Sequence, residues 1–248
     1  MMMRTVDLNC DLGEGIGKDE EVMVYISSAN IACGYHAGDL DIMRRTVDLC
    51  IQHTVAIGAH PSFDDRENFG RMEISASTDE IYDIVTKQIM TLSKMCAEKG
   101  IKLHHVKPHG ALYNLSAQKI SIAKTIAEAV KAYDEKLILY GLSNSHSITQ
   151  AKAIGLKTAS EVFADRTYQD DGSLLPRSIQ GALIDDANAA SYQAMQMVEQ
   201  STVTSIAGKV IAVNADTICL HGDGEHVVKF ARKIRTSLEK RGILIKAF

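Results

Sequence analysis

The pattern that most constrains this chain is a unit repeated along its length. A short apolar run ends in a tip rich in His, Asp, Glu, Lys or Arg, and a segment with helical apolar spacing follows. The first copy opens with Val6 and Leu8 and runs into Asp11-Leu12-Gly13-Glu14-Gly15. Its strand reads as scaffold and its tip as chemistry. Residues 29–34 lead to Tyr35-His36-Ala37-Gly38-Asp39, and Ile42, Met43, Val47 and Leu49 then predict a helix over residues 40–52. Residues 55–59 end at His60-Pro61. Ser77 and Glu80 have capping-box spacing, and Ile81, Ile84, Val85, Ile89 and Leu92 continue on one helical face until Gly100. Residues 102–106 end at Lys107-Pro108-His109, ahead of a helix near 119–133. The cleanest strand, 136–141, is tipped by Ser143-Asn144-Ser145-His146. Residues 156–160 lead to Glu161, Asp165 and Arg166, with a helix near 185–199. Residues 217–220 end at His221-Gly222-Asp223-Gly224, before a helical stretch near 225–240 and a last short strand at 243–245. Residues 20–26 suit helix and strand equally.

Strands alternating with helices, without a Pro/Ser-rich linker, imply a parallel sheet. About seven such units in 248 residues fit an α/β irregular TIM-like (β/α) barrel, closed or nearly so, better than an open sheet. One domain spanning 1–248 is expected. In such a barrel the carboxyl ends of the strands converge on one face, which gathers the tips into one site. The candidate catalytic residues are Asp11, Glu14, His36, His60, Lys107, His109 and Arg166. The candidate substrate-binding residues are Asp7, Asn9, Asp39, Glu161, Asp165, His221 and Asp223.

Other classes are disfavoured. The net charge is −4 and no Lys/Arg run tracks a phosphate backbone, so nucleic acid is not an expected partner. The start reaches Asp7 before an apolar leader can form, and no run has membrane-spanning length, so a cytoplasmic protein is expected. Cys10, Cys33, Cys50, Cys96 and Cys219 are scattered without a C-x-x-C pair, which suits buried reduced thiols rather than disulfides or a structural zinc site. Gly13-Glu14-Gly15-Ile16-Gly17 is followed by Lys18 rather than spaced as G-x-G-x-x-G, and no G-x-x-x-x-G-K-[ST] occurs. Around His221-Gly222-Asp223-Gly224, a plain turn and an anion-holding helix start fit equally well. Asp64-Asp65-Arg66-Glu67 reads as a solvated loop or, from its place after His60-Pro61, a lid.

Two chemistries suit the tips. Asp11, His60 and His109, with His36 beside them, can hold a divalent metal with one position open for water. The same groups can act without metal: Asp11 or Glu14 takes a proton from water, a histidine donates to a leaving nitrogen, and Lys107 or Arg166 stabilises developing negative charge.

The strings DLNCDLGEG (7–15), NIACGYHAGD (30–39), GAHPSFDDRENFGRM (58–72), HVKPHGALYN (105–114), SEVFADRTY (160–168), DGSLLPR (171–177) and CLHGD (219–223) cover the chain in order, and together they resemble the LamB/YcsF family. The resemblance implies an irregular barrel akin to the glycoside hydrolase/deacetylase group. It also implies one subunit of a 5-oxoprolinase, which uses ATP to open the lactam of 5-oxoproline to glutamate together with two other subunits. Within the wider barrel group one Asp and two His bind a metal, and Asp11, His60 and His109 are the matching positions. A five-membered lactam is a stabilised amide with a poor leaving group, so its hydrolysis has to be driven. Phosphorylating its oxygen would do this, and without a phosphate loop in this chain the nucleotide step is expected on a partner. On that reading Arg166 or Lys107 holds the substrate carboxylate or phosphate, and His109 or His60 protonates the ring nitrogen. The alternatives are a metal-dependent carbohydrate deacetylase or amidase acting alone, and a non-catalytic substrate-binding subunit.

Overall fold

The structure is a computed structural model that describes residues 4–221 and 227–248. In chain order its elements are β1 (Thr5–Leu12), α1 (Asp19–Met23), β2 (Ser28–Ala32), α2 (Leu40–His53), β3 (Ala56–His60) and α3 (Thr78–Glu98). Then come β4 (His105–Val106), α4 (Gly110–Gln118), α5 (Ile120–Tyr133), β5 (Ile138–Leu142), α6 (His146–Ala153) and β6 (Lys157–Phe163). The last are α7 (Ala187–Gln200), β7 (Thr202–Thr204), β8 (Val210–Ala212), β9 (Thr217–Leu220), α8 (Val227–Lys240) and β10 (Leu244–Ile245).

Seven parallel strands close into a barrel in the order β1-β2-β3-β4-β5-β6-β9, with β9 returning to pair with β1. β10 lies along the start of β1, and β7 and β8 form a separate antiparallel hairpin. This is the (β/α) barrel that the alternating pattern implies. Local chemistry sets the helix starts. Asp39 caps α2 by accepting from the amides of Asp41 and Ile42, and Ser77 and Glu80 close the reciprocal capping box of α3. Of residues 20–26, 20–23 fall in helix α1 and 24–26 in the turn and link that follow it. The hairpin β7–β8 and the helices α4 and α6 have no counterpart in the periodicity reading. No helix among the described residues is long and apolar enough to cross a membrane.

The barrel interior differs from a simple apolar scaffold. Successive β1 side chains point to opposite faces, so Leu8, Cys10 and Leu12 join the apolar core, while Asp7, Asn9 and Asp11 join the polar groups of the neighbouring strands. The core therefore lies between the strands and the helices, and the lumen is a hydrogen-bonded polar network. Asp7 sits low in it: its carboxylate accepts from Ser27 Oγ at 2.6 Å, Ser28 Oγ at 2.6 Å and Thr217 Oγ1 at 2.7 Å. The expectation that β1 is scaffold with chemistry only at its tip is corrected here. Three donors satisfy a carboxylate that burial would otherwise penalise heavily.

Candidate active site

Lys107, just past β4, is the charged centre of the upper lumen and is 2% exposed. Its Nζ donates to Asp11 Oδ1 at 2.8 Å, lies 3.0 Å from Glu161 Oε1, and reaches Cys219 Sγ at 2.9 Å and Asn9 Oδ1 at 3.4 Å. Burial favours the neutral amine, but Asp11, Cys219 and Glu161 outweigh it and carry the Lys107 pKa well above its ordinary value. Burial likewise favours neutral Asp11. The Lys107 ammonium opposes this, and the carboxyl is held well below the usual carboxylate range. Asp11 Oδ1 also accepts from Asn30 Nδ2 at 2.7 Å, which leaves Oδ2 facing His60 Nε2 at 3.4 Å.

Beside this pair is a cluster of imidazoles. His60 Nδ1 meets the Lys107 carbonyl at 2.6 Å, His109 Nε2 meets the Phe69 carbonyl at 2.9 Å, and His36 Nδ1 meets Ser62 Oγ at 2.8 Å. A carbonyl only accepts, and the Ser62 hydroxyl spends its proton on the Phe63 carbonyl at 2.9 Å. Each outer ring nitrogen is therefore the N–H, and each inner one carries a lone pair in the neutral ring. Burial pulls the His36 pKa down to about 2 and holds His109 well below its ordinary value. The inner atoms meet closely: His60 Nε2 to His109 Nδ1 is 2.9 Å, and Glu14 Oε1 is 3.4 Å from His36 Nε2 and 4.0 Å from His109 Nδ1. Glu14, His36, His60 and His109 place one ligand atom each within 4.8 Å of one another.

Two facing lone pairs repel unless a proton or a cation lies between them. Ligand bonds of about 2.0–2.1 Å to zinc at near-tetrahedral or right angles put two nitrogens about 3 Å apart. The buried set Glu14, His36, His60 and His109 thus fits a divalent cation, and its outer N–H groups are held as metal-ligating histidines usually are. Asp11 stands next to this set, with Oδ1 committed to Lys107 and Asn30.

Near Asp11 and Cys219, His221 Nδ1 lies 2.8 Å from Asp165 Oδ2, and Phe163 stacks on its ring at 5.5 Å. Burial raises the Asp165 pKa, but His221 and Arg177 outweigh it and leave it lowered. Asp11, Cys219 and His221 also offer ligand atoms within 4.8 Å, yet the Lys107 ammonium sits against two of them and takes the place of a cation.

The remaining candidates fall elsewhere. Arg166 points its guanidinium at the carbonyls of Leu175 (2.6 Å) and Ala182 (3.4 Å), pinning the 167–183 excursion. Asp39 is the exposed cap of α2. Asp223 lies outside the described residues. The loop after β3 folds over the imidazoles: Arg66 donates to the carbonyls of Gly34 and Gly38, and Phe69 packs edge-on against His36 and His109.

The family model described as "LamB/YcsF family" matches residues 6–248. The chain belongs to the LamB/YcsF family. A relative from Geobacillus kaustophilus, named as a 5-oxoprolinase subunit, is 51% identical over 99% of this chain and 97% of its own length. The crystal structure of a lactam utilization protein from Thermus thermophilus matches with a TM-score of 0.92 at 40% identity, covering 98% of this chain and 100% of that one. A family 4 carbohydrate esterase from Streptomyces lividans has a TM-score of 0.51 at 11% identity, covering 98% of this chain and 91% of that one, and shares the fold alone. The site of this LamB/YcsF chain also uses residues that sequence reasoning passed over: Asn30, Ser62, His105 and Cys219. Asn30 and His105 lie inside the quoted family strings. Their sign in the sequence was a polar residue at an inward strand position.

Proposed function

We propose that this chain is the barrel subunit of a cytoplasmic, ATP-dependent 5-oxoprolinase. With two partner subunits it hydrolyses the lactam of 5-oxo-L-proline to L-glutamate, and residues 1–248 act as one catalytic domain. The observation that carries this reading is the whole-length 51% identity to a protein named as a 5-oxoprolinase subunit, in a chain whose lumen holds an acid–base cluster suited to amide cleavage.

Asp11 is the general base. Its Oδ1 is anchored by Lys107 and Asn30, and Oδ2 takes a proton from the attacking water. Lys107 keeps Asp11 ionised in a dry site. Because all its short contacts are already made, its role is to hold carboxylates rather than to grip substrate. Asn9 and Glu161 accept from the ammonium and are bonded to each other. The inner nitrogens of His60 and His109 carry lone pairs, so the proton for the ring nitrogen is assigned to His221, oriented by Asp165. A divalent cation held by Glu14, His36, His60 and His109 would supply positive charge for the oxygen that becomes anionic. The sequence has no phosphate loop, so ATP is assigned to a partner, which drives the reaction by activating the lactam oxygen.

The test is glutamate release from 5-oxoproline by the purified chain combined with its partner subunits and ATP. Release that requires all components is expected. No release from a fully assembled complex would overturn the reading.

A further inference from the structure

We infer that Asn30 and His105 form a positioning relay that aims the Asp11 carboxylate and the Lys107 ammonium, with the His105 ring locked as the Nε2–H tautomer. The relay rests on the proposed reaction for its kinetic consequence, though not for its geometry.

The polarity follows from acceptors that cannot donate. Asn30 Nδ2 lies 2.7 Å from Asp11 Oδ1 and 2.7 Å from Asn9 Oδ1. Asn9 is itself fixed, because its Nδ2 donates to Glu161 Oε1 at 2.9 Å and to Thr217 Oγ1 at 2.7 Å. Both Asn30 N–H bonds are thereby spent on oxygens. Turning the amide over would set its carbonyl against a carboxylate and a second carbonyl. Asn30 Oδ1 must then face His105, whose Nε2 lies 2.8 Å away and has to be the donor. On the other side of the ring, His105 Nδ1 lies 3.1 Å from His104 Nδ1, and His104 Nε2 lies 3.2 Å from the Phe248 main-chain oxygen. The tautomer is set on the Asn30 side: with Nε2 the donor, His105 Nδ1 carries the lone pair of the neutral ring.

Packing leaves the ring one place to be. A Cβ on Gly58, the register partner of His105 on β3, would lie 2.1 Å from His105 Nε2. Tyr140 stacks on the ring at 4.1 Å with an interplanar angle of 14°. Burial also holds the His105 pKa well below its ordinary value, so the ring stays neutral. Among the described residues His105 makes no hydrogen bond to the imidazole cluster or to the Asp165–His221 pair, and its hydrogen-bonded link to Asp11 runs through Asn30. It acts as a positioning residue: without its N–H the Asn30 carbonyl is left buried and unpaired, which loosens the amide that donates to Asp11 Oδ1.

The test uses the full chain, alone for spectroscopy and with its partner subunits for rate. Histidine 15N–1H spectra should give His105 as the Nε2–H tautomer, and the Asn30 side-chain amide protons should exchange slowly. In His105→Leu the Asn30 amide should lose that protection, and kcat for glutamate release should fall about 100-fold with KM nearly unchanged, the effect of a misplaced catalytic group. His105→Gln restores a donor at the Nε2 position and should recover both the protection and most of the rate. A Nδ1–H tautomer, a fully active His105→Leu, or a His105→Gln as impaired as His105→Leu would overturn the relay. If His105→Leu does not fold, the wild-type tautomer and His105→Gln decide. If the wild-type complex releases no glutamate, the functional reading fails by itself, and the tautomer and the amide protection still decide the relay.

Discussion

His60 Nε2 and His109 Nδ1 stand 2.9 Å apart, and the other nitrogen of each ring donates to a main-chain carbonyl. The two lone pairs face each other in a buried site, so whatever sits between them is positively charged. The protein is expected to bind one equivalent of zinc or a similar divalent ion. At one hundred times Kd the linkage is about 2.7 kcal/mol, a rise of about 5–10 °C in Tm for a chain of this size. Elemental analysis and melting with and without metal test this. Glu14→Gln and His109→Ala should abolish the shift. An unchanged Tm with sub-stoichiometric metal would argue for a shared proton instead.

Buried neutral imidazoles make stability depend on pH in one direction. His36 falls from 6.5 to about 2 in the folded state, so the unfolded chain takes up its proton first as pH drops. The stability from His36 is complete above pH 6.5 and is lost progressively below it. Between pH 7.5 and 5.5 each such histidine costs about 1.4 kcal/mol, while Asp11, whose pKa is lowered, contributes no loss until the ordinary carboxylate range is reached. Urea unfolding at the two pH values should therefore show a lower stability at 5.5, and His36→Gln should recover about 1.4 kcal/mol of that difference. Equal stability of the wild type at both values would contradict neutral, buried rings.

Gly70 joins the loop after β3 to the imidazoles. Its φ is +66°, and a Cβ there would lie 2.8 Å from His36 Cβ and 2.9 Å from His109 Cδ2. Gly70→Ala is expected to destabilise the chain by about 1–2 kcal/mol through the left-handed backbone alone, and to weaken metal binding at least about tenfold as the rings move. Isothermal titration with zinc and a denaturant series check the two effects separately.

Much of this was legible in the sequence. Apolar runs with polar tips gave the barrel, because a closed parallel sheet brings strand ends together whatever the helix boundaries. The tips at Asp11, Glu14, His36, His60, Lys107 and His109 do meet. What stayed hidden depends on direction within a strand. Asn30 and His105 lie inside short runs that read as scaffold, and only the pleat and the register with β1 and β3 turn them into the lumen. Arg166 reads as an anion-holding residue, yet carbonyls of the 167–183 excursion capture it, a partner that lies outside any strand pattern. Tautomers, which decide acid from ligand among the histidines, follow from hydrogen-bond partners that sequence spacing does not contain.

The most direct test of the account is Asp11→Asn in the reconstituted complex. The change keeps the shape of the side chain and removes the base. It should lower glutamate formation at least about 100-fold, while the complex still assembles and binds ATP as the wild type does. Glutamate formation at the wild-type rate in an assembled Asp11→Asn complex would place the ring-opening chemistry outside this barrel.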